Sequence, residues 1–158
     1  MKTKLIIFDG DNCLWDTEAI RESGDVKELQ TFEDTIFTLR SLICTKMLVT
    51  AGNREVQLEK IRITGIAPFF SNIFVCPLLD NKKKVFREIL YRPELMGVVF
   101  DEVSVVGDRV NFEIRFGKEL GFRTVRMKYG KHSGDIPKNK FEIPDFEITK
   151  LSELLSII

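Results

Sequence analysis

The sequence predicts an α/β protein, a three-layer α/β/α sandwich built on a Rossmann-like parallel sheet. Three observations carry that expectation. Strand-like and helix-like stretches alternate along the chain, the pattern of a parallel sheet covered on both faces. The strand-like stretches are short continuous apolar runs, as expected for strands buried on both sides. Several of those runs end abruptly in acid, hydroxyl or glycine: Asp9-Gly10-Asp11, Thr50-Ala51-Gly52 and Gly107-Asp108.

The elements follow in order. Residues 4–8 (KLIIF) form the first strand, and residues 16–30 are polar and weakly patterned, an irregular flap. Phe32, Ile36, Leu39 and Ile43 recur at helical spacing, predicting an amphipathic helix over 31–43. A second strand spans 47–49. Val56, Leu58 and Ile61 mark a helix over 55–63, which Gly65 and Pro68 bring to an end. Residues 73–76 are a third strand, and 82–91 a helix with Val85, Phe86, Ile89 and Leu90 on its apolar face. A fourth strand covers 103–106, a helix 111–120 stops at Gly121, and a fifth strand lies around 123–127. Residues 129–145 read as a loop, and 149–158 as a closing helix with Leu151, Leu154 and Leu155 inward.

At 158 residues the chain is expected to make one domain over 1–158, with a short flap of about residues 14–30. Lys+Arg and Asp+Glu are equal at 24 each, so no global charge draws the chain to nucleic acid or an anionic membrane. No stretch approaches the roughly 18 to 20 apolar residues that cross a bilayer, and the N-terminal run is too short for a signal peptide. Cys13, Cys44 and Cys76 form no CxxC pair, which favours reduced thiols and a cytoplasmic setting. His132 is the only histidine, in a loop rich in Lys, Gly and Ser, so a Ser-His-Asp or Cys-His mechanism is disfavoured.

Ligands of open parallel sheets bind beyond the carboxyl ends of the strands. Asp9, Thr50 and Asp108 each follow a predicted strand and converge if those strands are neighbours. Two acids alone repel each other; a hard cation between them removes the conflict. Mg²⁺ commonly bridges carboxylates to a substrate phosphate. The run Lys82-Lys83-Lys84 opens a helix and adds positive charge, and Gly10 or Ala51-Gly52 can offer backbone N–H donors to an anion. Carboxylate, cation and anion-binding donors together are what phosphoryl transfer through an aspartyl-phosphate requires. Each piece alone has a plainer explanation: turn-forming acids, a solvated lysine face, an N-capping Asp at 108.

At these residues the sequence resembles the haloacid dehalogenase (HAD)-like hydrolase superfamily. Its first motif is similar to residues 5–14 (LIIFDGDNCL), its second to 47–53 (MLVTAGN), its third to the lysine in 81–86 (NKKKVF) and its fourth to 105–114 (VVGDRVNFEI). The ending IPDFEI before LSELL is also similar to the family's common C-terminus. The resemblance implies that Asp9 is the nucleophile and a Mg²⁺ ligand, and that Asp11 is the general acid/base, its backbone carbonyl also on the metal. It implies that Thr50 binds the phosphoryl group, with Gly10 and Ala51 beside it, and that Asp108 completes the metal site. Lys82 would neutralise the nucleophile and the phosphate, with Lys83 as its rival in register. Glu113 stands where the family often has a second acid that orients metal-bound water or the lysine, and as the longer acid it would bind the metal through a water or lie outside its ligands. Two departures are Cys13 for the usual Thr or Val and Glu113 for Asp.

An acid at position 11 marks the superfamily's phosphatases rather than its dehalogenases. The implied function is Mg²⁺-dependent hydrolysis of phosphate monoesters through a phospho-aspartyl intermediate. The alternative is a catalytically idle HAD-like module that binds a phosphorylated ligand or partner. The spacings from Asp9 to Thr50 and from Thr50 to Lys82 leave no room for a full cap domain, so the chain resembles the capless or minimally capped branch. Trp15 is expected to line the entrance or to pack the flap. The substrate would be a phosphorylated small molecule or an accessible macromolecular phosphate, and a homo-oligomer interface could serve as lid. A nucleic-acid end is disfavoured, because Lys128, Lys131, Lys138 and Lys140 read as a solvated loop.

Overall fold

The structure is a computed structural model that describes residues 2–158. β1 (Leu5–Phe8) is buried along its whole length and sits in mid-sheet. β2 (Thr45–Ala51) and β3 (Asn72–Cys76) extend the sheet on one side of it. β4 (Val103–Gly107), β5 (Arg123–Met127) and β6 (Phe146–Ile148) extend it on the other. The order is β3-β2-β1-β4-β5-β6, and every pair is parallel. The direction of winding therefore reverses between β1 and β4, the position at which open α/β sheets form a crevice for ligands. Phe8 pairs with Leu48 on one side and Val106 on the other. That register sets Asp9 beside the end of β4, with Asp9 N–H donating to Val106 O at 2.9 Å.

Alternation along β1 divides two cores. Ile6 and Phe8 face a layer with Leu39, Ile61 and Leu154, whereas Leu5 and Ile7 face one with Phe86, Ile89 and Phe116. The first layer thus holds α1 (Thr35–Ser41), α2 (Arg54–Thr64) and α5 (Leu154–Ile157). The second holds α3 (Asn81–Ile89) and α4 (Arg115–Glu119). No helix among the described residues is long and apolar enough to cross a membrane, and Cys13, Cys44 and Cys76 are free thiols.

The predicted sandwich forms, with local corrections. α1 is shorter than 31–43: Ile43 is 84% exposed, and Phe32 packs outside the helix against the Tyr129 ring at 4.8 Å. α2 buries Gln57, Lys60 and Ile61 while Val56 and Leu58 face outward: Ile61 joins the core, and Gln57 and Lys60 on the same face bond to Asp11 at the end of β1. The stretch predicted as a helix over 111–120 opens instead as a π-helical turn, Val110–Ile114, before α4 begins. β6 replaces loop where no apolar run announced a strand. The closing helix is split into a 3₁₀ turn, Leu151–Glu153, and α5, and Leu155 is exposed. Residues 16–30 hold only two 3₁₀ turns, Glu18–Ile20 and Val26–Glu28, anchored by buried Ile20 and Leu29.

Candidate active site

The turn after β1 is shaped by the missing side chain of Gly10. A Cβ there would lie 2.2 Å from the Trp15 ring. Trp15 is fully buried beneath the turn, so it packs the base of the flap and does not line the entrance. Its indole Nε1–H donates to Asp11 Oδ1 at 3.0 Å, joined by Thr17 Oγ1 at 2.7 Å and Lys60 Nζ at 2.6 Å. Gln57 Nε2 donates to the other oxygen at 3.1 Å. Burial alone would raise the Asp11 carboxyl, but the Lys60 charge and these hydrogen bonds outweigh it and hold the group below the usual carboxylate range.

Asp9 faces the other way, toward β4 and α3. Lys82 and the apolar Phe86 and Ile89 form the buried face of α3. Its ammonium donates to Asp9 Oδ1 and Glu113 Oε1, each at 2.6 Å. Burial works against that charge, yet the two carboxylates prevail and raise the Lys82 pKa. Lys83 points elsewhere and pairs with Glu119, so the register of the lysine run is fixed by the helix phase.

Glu113 reaches Lys82 because the π turn bulges inward beside Gly107, where a Cβ would sit 2.6 Å from the Glu113 side chain. Single π turns of this kind recur at functional sites. Carboxylate oxygens of Asp9, Asp108 and Glu113 lie within 4.8 Å of one another. Burial, opposed by Lys82 and reinforced by Glu113 and Asp11, raises Asp9; burial, Asp9 and Glu113 raise Asp108. Glu113 Oε2 is buried without a hydrogen-bond partner. Three crowded acids, one lysine and an orphaned carboxylate oxygen suit a hard divalent cation.

The carboxyl ends of β1, β2 and β4 open into a cavity of about 480 Å³ whose lining includes Asp9, Asp11, Lys60, Lys82, Asp108 and Arg109. Ala51 and Gly52 also line it. Thr50 is fully buried, and its hydroxyl donates to Gln57 Oε1 at 3.3 Å; Gly10 lies behind Asp9 and Asp11 over the Trp15 ring. Sequence reasoning missed Gln57, Lys60 and Arg109. The Gln57, Lys60, Ile61 spacing was the available signal for an inward face on α2.

Comparison with known proteins places this arrangement. The model of the HAD-hydrolase-like family matches residues 82–154, which carry Lys82, Asp108 and Glu113. The chain belongs to the HAD-like hydrolase superfamily. It is 34% identical over 127 residues to the glyceraldehyde 3-phosphate phosphatase of Methanopyrus kandleri, covering 78% of this chain and 53% of that protein. Its identity to the enzyme of that name from Methanocaldococcus jannaschii is 32% over 133 residues, covering 82% of this chain and 57% of the relative. The chain thus spans little more than half the length of these HAD relatives. Among solved structures, the magnesium-bound HAD-hydrolase YfnB of Bacillus subtilis superimposes with a TM-score of 0.76 at 16% identity, over 99% of both chains. That likeness establishes the HAD fold.

Proposed function

We propose that this HAD-like protein is a Mg²⁺-dependent phosphatase that hydrolyses phosphate monoesters through a phospho-aspartyl intermediate on Asp9. The observation that carries the reading is the division of labour between two carboxylates in one turn. Asp9 is set against Lys82 and the acid cluster, while Asp11 is held apart by Lys60, Thr17 and Trp15. Two acids in different environments are suited to different roles. The phosphatase names of the relatives support the same reaction class.

In the first half-reaction an Asp9 oxygen attacks phosphorus, the ester P–O bond breaks, and the leaving oxygen takes a proton from Asp11. In the second, Asp11 removes a proton from water as the water attacks phosphorus. The Asp9–phosphorus bond then breaks, releasing inorganic phosphate. The free site holds Asp11 as the carboxylate that the second step needs. A phosphate dianion arriving beside it favours uptake of the proton that the first step needs. Lys82 neutralises Asp9 and the incoming phosphate, and the Ala51 and Gly52 backbone borders the phosphoryl oxygens. On this reading the Thr50 hydroxyl, which donates to Gln57 Oε1 in the free protein, would exchange that partner for a phosphoryl oxygen.

Asp9, Asp108 and Glu113, with the Asp11 backbone carbonyl, would hold the cation. When bound, it neutralises the clustered carboxylates and draws charge from the phosphoryl oxygens. We further read residues 1–158 as one capless unit, because residues 16–30 hold only 3₁₀ turns and one helix and one strand separate β2 from α3. Three free thiols fit a cytoplasmic setting. The substrate on this reading is a phosphorylated small molecule that enters the open cavity.

The test is hydrolysis of p-nitrophenyl phosphate with Mg²⁺, with EDTA, and by Asp9→Asn with Mg²⁺. Turnover that needs the metal and vanishes in the variant supports the reading. Activity retained by folded Asp9→Asn would sink the mechanism. A folded, Mg²⁺-loaded wild type that turns over no phosphate ester would point to the idle binding module.

A further inference from the structure

The cationic side chains around the cavity are not equally committed. Lys82 is bonded to Asp9 and Glu113, Lys60 to Asp11, and Arg21 to Glu18. Arg109 also lines the cavity, immediately after Asp108. Among the described residues no carboxylate lies within 4.0 Å of its guanidinium. Its Cζ sits 4.5 Å from the centre of the Phe112 ring, and its Nε is buried without a hydrogen-bond partner. An arginine beside three acids, bonded to none of them and held against an aromatic face, is oriented for a partner that the chain does not supply.

We infer that Arg109 is a specificity residue and that the substrate is a phosphorylated carboxylic acid, its carboxylate paired with this guanidinium. The inference rests on the phosphatase reading and deepens it. The phosphoryl group occupies the Asp9–Lys82 end, and the rest of the substrate extends toward the wall formed by Arg109. Guanidinium matches carboxylate in shape, two parallel N–H donors to two oxygens. It also matches in charge. One uncommitted half-buried cation balances one carboxylate, whereas a second phosphate dianion would call on another, and Lys131 at the rim is solvent-exposed.

Two ligands of nearly equal size separate the possibilities. 3-Phosphoglycerate ends in a carboxylate where glycerol 3-phosphate ends in a neutral alcohol. In wild-type protein with Mg²⁺, KM for 3-phosphoglycerate is expected to be roughly tenfold lower, the worth of one charge-assisted contact. In Arg109→Gln the ratio of the two KM values should fall toward one, and in Arg109→Lys, which keeps charge without the fork, to an intermediate value. Calorimetric titration of the same ligands gives the comparison without turnover. A preference for 3-phosphoglycerate that Arg109→Gln abolishes supports the inference even where neither ester is hydrolysed, an outcome that would count against the phosphatase reading alone. Equal wild-type affinities, or a preference that survives in Arg109→Gln, would overturn the inference and leave that reading standing.

Discussion

Lys60 Nζ lies 2.6 Å from Asp11 Oδ1 although the two residues are 49 positions apart. The contact exists because α2 turns a polar stripe, Gln57 and Lys60, toward the end of β1. The carboxylate that two other donors, Trp15 and Thr17, bind from its own turn is thereby fixed from across the cleft as well. In Lys60→Met, Asp11 loses its charged anchor and its fixed orientation. Turnover of alkyl phosphates, whose leaving oxygen needs a well-placed proton donor, should fall roughly tenfold or more. Loss on p-nitrophenyl phosphate should be smaller, because its leaving group departs as an anion. Lys60→Arg should recover part of the alkyl rate. Equal losses on both esters would show that Lys60 acts on the phosphate and not through Asp11.

The lysine run gives a second prediction. Lys82 is buried between Asp9 and Glu113, whereas Lys83 is paired with Glu119 on the outer face of α3. Lys82→Met should abolish turnover and lower stability by about 3–5 kcal/mol, since it strands buried carboxylates. Lys83→Gln should keep wild-type kcat/KM and lose only about 1 kcal/mol, because Lys83 is half-buried and Glu119 keeps Arg115 as a second partner. Urea unfolding alongside steady-state kinetics checks both, and a large kinetic defect in Lys83→Gln would refute the assignment.

These two lysines also show what was legible in the sequence. Asp9 and Asp108 stood out because each follows an apolar run at the end that faces ligands, a local signal. The choice of Lys82 over Lys83 needed the phase of α3, which the spacing of Lys82, Phe86 and Ile89 supplies once the helix start is known. Lys60 was hidden for the opposite reason. Helical pattern reading assigns the apolar residues to the inside, and here Val56 and Leu58 lie outside while Gln57 and Lys60 serve the site. β6 was hidden because Phe146 and Glu147 are both exposed. Its pairing with β5 is a tertiary event with no apolar run to announce it.

Gly10 ties the fold to the site. A methyl group at this position would meet the Trp15 ring at 2.2 Å, and that ring is fully buried in the core. Gly10→Ala should therefore cost about 1–3 kcal/mol in stability. It should also shift Trp15 Nε1 away from Asp11, a change visible in the fluorescence of the single tryptophan. An unchanged emission spectrum and unfolding midpoint would show that the turn relaxes without moving the ring.

Asp145 staples the segment before β6 to β5 and gives the clearest pH dependence outside the site. Its carboxylate accepts from Thr124 N–H at 2.8 Å and from the Thr124 hydroxyl at 3.0 Å, and it pairs with Lys118. Burial raises this carboxyl, but Lys118 and the Thr124 donors outweigh burial and hold it below its ordinary value. A carboxyl depressed in the folded state adds stability above its unfolded pKa, and that stability is lost as the pH falls through the lower folded value. Asp145→Ala should thus be destabilised by about 1–3 kcal/mol at pH 7, where the Thr124 N–H loses its partner. The gap to wild type should narrow at pH values below about 4, the ordinary aspartate range, because acid protonates the wild-type carboxylate. Urea midpoints at pH 7 and pH 3 measure this. A gap that stays constant across that interval would mean the contact is held by the neutral hydrogen bonds alone, with no contribution from the charge on Asp145.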